Sequence, residues 1–423
     1  TLNTNFSTMK TRRVVVTGIG AIAPLGNTAE ETWKNMVNGV SGSAPITRFD
    51  ASKFKTQFDC EVKDFDPSNY FDRKEARKYD LYTMFAFISA AEAVKNSGIN
   101  LETINKDRAG VIWGSGIGGL DTFTSEISEW AKGDGTPRFS PFFIPKMITN
   151  MASGLLAIEY GLKGINYTCV SACASSSHAM VDAMNYIRWN KADVVLTGGS
   201  EAAVNEAGVG GFNSMKAIST RNDDPKTASR PYDADRDGFV MAEGGVSLIF
   251  EEYEHAVKRG ATILAEVIGG AMNCDAHHMT APDPEGDGAA TVMSLAIQDA
   301  GLKPTDIDYV NTHGTSTGLG DIAEPKALLK TFGEHIYKLS VSSTKSMTGH
   351  MLGAAGAMEA LACINALREG IIPPTINLFN LDPEIDPKID FTFNKAKKRD
   401  IKVALSNNFG FGGHNATIIF KNM

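Results

Sequence analysis

A cysteine in the first half of the chain has the surroundings of a nucleophile. Cys173 lies in the segment VSACASSSHAM, among small residues where a strand is expected to turn into a helix. The positive N-terminal end of a helix and its unpaired N–H groups favour a thiolate, so we expect the pKa of this thiol to lie below about 8.5. The segment by itself fits a buried structural thiol equally well. A redox pair with Cys169 is disfavoured, because redox motifs have the spacing C-x2-C and this pair is C-x3-C.

Two histidines and a lysine occur later in the chain, in segments that also place them near strand ends. His313 ends an apolar strand in NTHGTSTGLGDIAE, and Lys345 and His350 precede a helix of small residues in SVSSTKSMTGHMLGAAGAMEA. At a helix start an imidazole stays neutral, which suits it to donate a hydrogen bond to a developing oxyanion. A structural histidine and a solvated lysine are the alternatives. The segment SNNFGFGGHNATIIF brings glycine-rich backbone close to a substrate, or forms only a tight turn.

Short apolar runs next to glycine-rich turns alternate with helical segments along the chain. Continuous runs rich in β-branched residues suit strands that are buried on both faces. The predicted strands are 14–20, 109–116, 192–200, 246–250, 307–314, 403–410 and 416–420, and the predicted helices are 79–96, 175–189, 289–300, 325–332 and 353–369. This alternation predicts an α/β fold with right-handed crossovers.

Both halves contain a strand that runs into a small-residue turn and then into a helix with a reactive side chain at its start. These segments are INYTCVSACASSSHAM and KLSVSSTKSMTGHMLGAAG. We interpret them as an internal duplication, with one half over 9–255 and the other over 256–423, joined at the charged helical stretch 251–261. The first half carries the nucleophile, and the second carries the histidines and the lysine. Residues 1–8 precede Met9 and are left out of the fold prediction.

The composition excludes several classes of protein. The net charge of −8 disfavours a nucleic-acid partner, because phosphate binding needs a basic field. No apolar run reaches the roughly 18 to 20 residues that span a bilayer, and the first residues lack the apolar stretch of a signal peptide. We therefore expect a cytoplasmic protein with no membrane partner. The five cysteines are an odd number and widely spread, which is typical of reduced thiols.

Together, these segments resemble the β-ketoacyl-acyl-carrier-protein synthases, and among them most closely the elongating synthases of the bacterial type II system. The stretch STRNDDPKTASRPYDADRDGFV (219–240) shares in the resemblance, which runs from about Arg13 to Phe420 in the family's order. It implies a thiolase-like fold with two similar halves in a five-layer α-β-α-β-α arrangement, and a homodimer. It also implies a decarboxylative Claisen condensation of acyl-carrier protein with malonyl-carrier protein, giving a 3-oxoacyl product in fatty-acid elongation.

The resemblance also assigns roles to residues. Cys173 takes the acyl chain as a thioester, and His313 and His350 donate hydrogen bonds to the thioester oxygen on which charge develops. The backbone N–H groups of Cys173 and Phe411 form the oxyanion hole of the second step. Lys345 orders the site electrostatically, with Glu359 as its partner.

Further family positions concern substrate entry and the carrier protein. The matching residues are Phe409 and Phe411 for the gate, Thr315 and Thr317 for the pantetheine arm, Ile117 for the acyl pocket, and Lys74, Arg77, Lys78 and Lys216 for carrier-protein docking. A docking site of this kind is needed because an acidic enzyme must receive an acidic carrier protein. A generic solvated helix face is the alternative for the docking residues. No cofactor is implied, since the phosphopantetheine arrives on the carrier protein.

Other functions fit the chain less well. GSGIGG at 114–119 matches a dinucleotide-binding pattern, but no acidic residue ends a second strand about 20 positions later in a convincing βαβ context. A non-catalytic chain-length subunit would lack the active cysteine, and a degradative thiolase would have a second cysteine where this chain has GFGGHN. No metal site is predicted, because His277 and His278 are adjacent and no Cys or His cluster has ligand spacing. A ketosynthase of a polyketide or aryl-polyene pathway shares every catalytic residue and remains the alternative.

Overall fold

The computed structural model describes residues 11–423, so that residues 1–8 and the predicted start of the first half at residue 9 lie outside the described part. The strands are β1 (Val14–Ile22), β2 (Ala44–Pro45), β3 (Phe58–Asp59), β4 (Ala109–Gly114), β5 (Asn166–Cys169), β6 (Val194–Glu201), β7 (Gly244–Glu252), β8 (Ala265–Cys274), β9 (Tyr309–Asn311), β10 (Ser340–Ser342), β11 (Ile371–Ile372), β12 (Lys397–Lys398), β13 (Val403–Gly410) and β14 (His414–Lys421).

The helices are α1 (Ala29–Val37), α2 (Arg73–Ala76), α3 (Leu81–Ser97), α4 (Leu120–Lys132), α5 (Phe143–Met147), α6 (Met151–Tyr160), α7 (Ser175–Arg188), α8 (Glu206–Ser214), α9 (Tyr253–Lys258), α10 (Asp287–Asp299), α11 (Gly320–Phe332), α12 (Lys345–Thr348) and α13 (Ala355–Glu369). Short 3-10 turns at Ala172–Ala174 and Leu352–Ala354 lead into α7 and α13.

Ten strands form one continuous sheet whose two halves have the same topology. Its order is β10-β9-β13-β14-β8-β1-β7-β6-β4-β5. From the middle outwards, each half has two antiparallel pairings followed by two parallel ones: β1-β7-β6-β4-β5 in one half and β8-β14-β13-β9-β10 in the other. The halves meet where Val14 to Val16 pair with Val267 to Ala265. This repeated order confirms the predicted duplication of the fold.

Two central helices, α7 and α13, lie between the half-sheets. Every residue of α13 from Ala355 to Leu367 is buried, as expected for a helix with protein on all sides. It packs against β13, while α7 packs against β4 and β6, and the two helices touch each other. Outside them, α3 and α6 cover the first half-sheet, and α10 with its neighbour α11 covers the second. The structure therefore has the five α-β-α-β-α layers that the resemblance implied.

The elements differ from the sequence prediction in two places that matter for the site. Strand β8 was not predicted, because its sequence AEVIGGAMNC interrupts the apolar run with two glycines and ends in polar residues. Helix α11 begins at Gly320 rather than at Pro325, which stands inside it. A proline there removes one hydrogen bond of the helix, but it does not stop a helix whose inner face packs well. The predicted boundary between the halves falls inside α9 and stays a prediction.

Among residues 11–423, the structure has no helix that is long and apolar enough to cross a membrane.

Candidate active site

Cys173 lies in the turn between the edge strand β5 and the central helix α7. Its neighbour Ala172 has φ 49°, a left-handed conformation that turns the chain sharply from strand to helix. The thiol is 8% exposed and borders a cavity of ≈ 690 Å³. The local prediction of a strand, a turn and a helix start around this residue matches the structure.

The ionisation of this thiol differs from the sequence expectation. Burial raises the pKa of Cys173 to about 12, although the Lys345 ammonium and the backbone N–H groups of Phe411 and Cys173 act in the opposite direction. The helix start was expected to lower the pKa, but the cost of removing the charged sulfur from water is the larger effect. The prediction of a resting thiolate is therefore wrong, and the thiol needs a proton acceptor when it reacts.

His350 supplies a proton acceptor within reach of the sulfur. Its Nε2 lies 2.9 Å from Cys173 Sγ. Contrary to the sequence prediction, His350 does not begin a helix: its backbone pairs with Met241 between α12 and the turn before α13. The ring stands edge-on against Phe239, with centroids 5.2 Å apart. The imidazole is therefore held by a bridge between two loops and by an aromatic contact.

His313 reaches the same cavity from the end of β9. Its backbone N–H and that of Gly314 donate to the two carboxylate oxygens of Glu324, each at 2.9 Å. The ring lies across that of His350 and also contacts the ring of Phe409, with centroids 5.6 Å apart. Glu324, on α11, thus fixes the backbone that aims His313 into the cavity.

Both imidazoles are neutral. Burial lowers the pKa of His313 well below its usual range, and the nearby Lys345 ammonium and His350 lower it further. Burial and Lys345 lower the pKa of His350 in the same direction. The expected direction is found, but its cause is desolvation and a neighbouring cation rather than a helix terminus. A neutral imidazole carries one N–H and one lone pair, so each ring is able to donate or accept a proton.

Lys345 is a buried charge, 2% exposed, rather than a solvated one. Its Nζ donates to Glu359 Oε1, and Asn408 Nδ2 donates to Glu359 Oε2 at 2.6 Å. Burial raises the pKa of Glu359 to about 7, while the Lys345 ammonium and the Asn408 amide oppose that rise. The ammonium lies close enough to lower the pKa of both histidines and of Cys173, so it acts on the whole site.

The glycine-rich loop after β13 closes over the sulfur. Gly410 lies so near the nucleophile's turn that a Cβ on it would be 2.6 Å from the Ser171 carbonyl oxygen and 3.1 Å from Cys173 N. Phe409 and Phe411 line the cavity on either side of this glycine, and the Phe411 N–H acts on the sulfur in the direction that lowers the pKa of Cys173. Close backbone approach, which is the reason for glycine here, thus places a second N–H beside that of Cys173.

The remaining predicted substrate residues also border the cavity. Ile117 is 37% exposed and lies near Cys173 in the loop after β4. The hydroxyls of Thr315 and Thr317 lie 3.0 Å apart in the wall that leads outwards from His313. All three were predicted from the family resemblance.

The four predicted docking residues fall into two places. Lys216 is exposed at the rim of the cavity, in a left-handed conformation with φ 56°. Lys74, Arg77 and Lys78 lie on α2 and the turn after it and do not line the cavity. Within residues 11–423, none of the four forms a salt bridge with a carboxylate of the chain.

The sequence prediction missed several residues that support the site. Glu324 and Asn408 hold His313 and Glu359, and Glu201 receives backbone N–H groups beside Cys173. A signal was available for two of them. Glu324 is one of two acidic residues, with Asp321, on the buried face of a helix, and Asn408 is a polar residue inside a buried strand.

The fold also brings together donor atoms that the chain separates. Sγ of Cys173 and one ring nitrogen each of His313 and His350 lie within 4.8 Å of one another, a set that could hold a soft metal ion. The prediction of no metal site rested on spacing along the sequence, which does not detect a cluster built from three distant segments. The same three atoms are the reactive groups of the cavity.

Comparison with known proteins agrees with this geometry. Residues 11–256 match the model of the beta-ketoacyl synthase N-terminal domain, and residues 264–379 match that of the C-terminal domain. The chain is 49% identical over 411 residues to 3-oxoacyl-[acyl-carrier-protein] synthase 2 of Coxiella burnetii, covering 97% of this chain and 99% of that one.

Two solved structures show the same fold over nearly the whole chain. A beta-ketoacyl synthase from Burkholderia phymatum aligns with a TM-score of 0.90 and 35% identity, covering 97% of this chain and 100% of that one. The second is described as a type II PKS acyl-carrier protein in complex with its ketosynthase bound to the hexaketide. It aligns with a TM-score of 0.88 and 32% identity, covering 98% of this chain and 100% of that one.

Proposed function

This chain belongs to the beta-ketoacyl synthase family, and we propose that it condenses an acyl group on acyl carrier protein with malonyl-carrier protein in fatty-acid elongation. The products are carbon dioxide and a 3-oxoacyl-carrier protein. One observation carries the proposed mechanism: the sulfur of Cys173 lies 2.9 Å from His350 Nε2, with a ring nitrogen of His313 in the same cluster at one wall of a single cavity.

In the first step Cys173 takes over the acyl group. The sulfur attacks the thioester carbonyl, a carbon–sulfur bond forms to Cys173, and the bond to the carrier's pantetheine sulfur breaks. Because the resting thiol is protonated, its proton passes to His350 Nε2 as the sulfur attacks, and from there to the departing pantetheine thiolate. Thioester exchange of this kind is nearly balanced in energy, which suits a cysteine nucleophile.

In the second step malonyl-carrier protein loses carbon dioxide and the carbon that remains attacks the acyl-cysteine. Electrons from the broken carbon–carbon bond flow into the malonyl thioester oxygen, to which the N–H groups of the neutral His313 and His350 donate. His350 does so as the tautomer that carries its proton on Nε2, whereas it accepts the thiol proton in the first step as the other tautomer. Preorganised donors of this kind are typically worth about 3 to 4 kcal/mol each. The tetrahedral oxygen that follows is held by the N–H groups of Cys173 and Phe411. Its collapse releases the Cys173 thiolate, which takes up one proton from solvent to restore the resting thiol.

The cavity supports an extended substrate. Thr315 and Thr317 offer hydroxyls to the amides of a pantetheine arm, and the Gly410 loop with Phe409 and Phe411 gates access to the sulfur. We propose that Ile117 limits the length of the acyl chain, because its side chain stands in the cavity near Cys173. The chain itself needs no cofactor for this chemistry, since the phosphopantetheine belongs to the carrier protein.

We propose that the carrier protein docks on Lys74, Arg77, Lys78 and Lys216. Lys216 stands at the mouth of the cavity, and the other three are cations that form no salt bridge within residues 11–423, with Asp72 as a nearby carboxylate of Lys74 and Lys78. An acidic chain with a net charge of −8 repels an acidic partner elsewhere, so a local positive surface is required.

We propose a homodimer that forms along β5. The opposite edge strand, β10, is covered, because the Val341 N–H donates to the Asp390 carbonyl. Strand β5 has a partner on one side only in the described part of the chain, and Val170, just after it, is 58% exposed. Ile158 on the neighbouring helix α6 is 77% exposed. An uncovered edge flanked by apolar side chains favours pairing with a second copy.

A ketosynthase of a polyketide or aryl-polyene pathway is the second candidate, because the structural similarity to the polyketide complex extends over the whole chain. Fatty-acid elongation is favoured, since the identity to the fatty-acid synthase relative is 49% and that to the polyketide ketosynthase is 32%. The test is purified enzyme with malonyl-carrier protein and a ladder of saturated and unsaturated acyl-carrier proteins. Elongation of saturated acyl chains supports the proposal, and turnover of polyene or poly-β-keto chains alone contradicts it.

A further inference from the structure

The turn that holds the nucleophile has a counterpart in the second half. Strands β5 and β10 occupy equivalent outer positions, and each leads, in the second half by way of the short helix α12, to a 3-10 turn and a central helix. The residues that open these turns have matching left-handed conformations, with φ 49° at Ala172 and φ 47° at Leu352. Gly353 therefore stands where the second half would carry its own nucleophile.

A carboxylate fills this second turn. Glu201, at the end of β6, is fully buried, and its Oε2 accepts the Gly353 N–H at 3.0 Å. The other donors to this carboxylate come from the loop after β4: Gly116 N at 2.7 Å, Ile117 N at 3.1 Å, Gly118 N at 3.3 Å and Ser115 Oγ at 3.3 Å. Four of the five donors are backbone N–H groups, which favour the carboxylate and oppose the rise in the pKa of Glu201 that burial causes.

The two segments joined by Glu201 are in backbone contact. A Cβ on Gly353 would lie 2.2 Å from Gly116 N and 2.7 Å from Glu201 Oε2, and a Cβ on Gly116 would lie 2.9 Å from the same oxygen. Only glycine fits at either position. The carboxylate therefore ties together two glycine segments that are more than 200 residues apart in the chain.

Both segments also border the reaction cavity. Ile117 and Leu352 line it together with Cys173, one on each side of the carboxylate's attachment points. A shift of either segment would move the wall that an acyl chain on Cys173 must lie against. Since Gly353 follows His350 by only three residues, the same shift would reach the imidazole.

We propose that Glu201 is a positioning residue of the condensation reaction, whose carboxylate locks the Ile117 loop and the turn after His350 into one frame around the acyl-cysteine. This inference rests on the proposed function. Glu201 contacts neither the substrate nor the sulfur of Cys173. It acts through the backbone of the two segments that it holds, the Ile117 loop and the turn after His350.

The charge of Glu201 has a second, separable effect. A negative charge near a thiol disfavours the thiolate, and Glu201 acts in this direction on Cys173, against Lys345. Removal of the charge is expected to make Cys173 ionise at lower pH. A shorter side chain at position 201 that keeps the negative charge is expected to leave the ionisation of Cys173 unchanged. Two variants separate these effects.

Glu201→Gln keeps the length of the side chain but replaces one acceptor oxygen by an NH2 group that faces N–H donors. Glu201→Asp keeps the charge but is too short to hold both segments. We expect kcat to fall by about 10²-fold in both, because small displacements at a reacting centre have effects of this size, with a smaller change in KM for malonyl-carrier protein. The preference among acyl-chain lengths should broaden in both. The pH dependence of Cys173 alkylation by iodoacetamide should move to lower pH in Glu201→Gln only.

Glu92→Gln is the matched control, since Glu92 also binds backbone N–H groups, those of Ala21 and Ala29, but lies away from the cavity. This variant should have the turnover and the chain-length preference of the wild type. Wild-type turnover and chain-length preference in Glu201→Gln overturn the proposal. If that variant does not fold, Glu201→Asp decides by the same two readouts, and failure of both to fold assigns Glu201 a purely structural role and also overturns it. The alkylation of Cys173 is measured without substrate, and it therefore tests the role of Glu201 independently of the proposed reaction. A wild-type enzyme that shows no condensing activity would refute the proposed function alone.

Discussion

The imidazole rings of His313 and His350 meet edge to face, with centroids 5.4 Å apart and ring planes at 87°. One nitrogen of each ring lies within 4.8 Å of the other and of Cys173 Sγ. A single thioester oxygen is then able to accept from both, while only His350 also reaches the sulfur of Cys173, at 2.9 Å. The two histidines are therefore expected to differ in the steps they serve.

Replacement of the nucleophile should separate acyl transfer from folding. We expect Cys173→Ala to lose acylation by labelled acyl-carrier protein completely, with a thermal unfolding midpoint close to that of the wild type, because the side chain is small and borders a cavity. Cys169→Ala, four residues earlier, should be acylated normally. Labelled Cys173→Ala protein would exclude Cys173 as the acyl carrier.

The histidines should show different defects. We expect His313→Ala to retain acyl transfer to Cys173 and to lower condensation by about 10²- to 10³-fold, the usual effect of removing one oxyanion donor. His350→Ala should slow both steps, because it also removes the proton acceptor of the thiol. Single-turnover acylation and steady-state condensation measure the two steps separately. Equal defects in acylation for the two variants would contradict this division.

Lys345 should set the acid limit of activity. Its charge lowers the pKa of both histidines, so the wild type is expected to keep neutral imidazoles, and its activity, as the pH falls through 6.5. In Lys345→Met that effect is lost, both histidine pKa values rise, and the acid limb of the kcat/KM profile should move to higher pH.

The same substitution breaks a buried ion pair with Glu359, which typically costs about 3 to 5 kcal/mol of stability. Lys345→Met with Glu359→Gln serves as the control, because it removes both charges. It should recover much of the free energy of unfolding without restoring the pH profile. A profile that recovers along with stability would show that Lys345 acts only through folding.

The docking surface should affect carrier-bound substrates selectively. We expect charge reversal at Lys74, Arg77 and Lys78 to raise KM for acyl-carrier protein by 10-fold or more, on the order of a few lost charge contacts, and to leave small acyl thioesters unaffected. The rise should shrink at high salt, since surface charges are screened.

Charge reversal at the exposed residues Lys395, Lys398 and Lys402 changes the net charge equally and controls for long-range repulsion. It should raise KM for the carrier substrate far less. Equal effects of the two triple variants, or equal effects on carrier and small substrates, would reject this docking surface.

The uncovered strand β5 should be a dimer interface. We expect sedimentation to show a dimer for the wild type and a shift towards monomer for Val170→Glu and Ile158→Glu, because a charge in an apolar interface is desolvated without a partner. Val257→Glu, at a side chain 49% exposed on α9, should remain dimeric. A monomeric wild type at micromolar concentration would contradict the proposal.

Much of the fold followed from the sequence. The alternation of apolar runs and helical segments predicted an α/β fold, and the repeated pattern of strand, turn and helix predicted its duplication. These features depend on neighbours in the chain, which share one element and its periodicity. Strand β8 was missed, because two glycines break its apolar run and only pairing with β14 and β1 makes it a strand.

For the site, the sequence by itself determined which chemical groups are available and where the chain turns sharply enough to present them. Only the tertiary structure decided that Cys173 and His350, 177 residues apart, touch, and that Glu324, Asn408 and Glu201 support them. It also reversed the expected shift of the Cys173 pKa. The helix start acts locally and is readable from sequence, whereas desolvation depends on all the segments that close over the sulfur, and here burial is the larger effect.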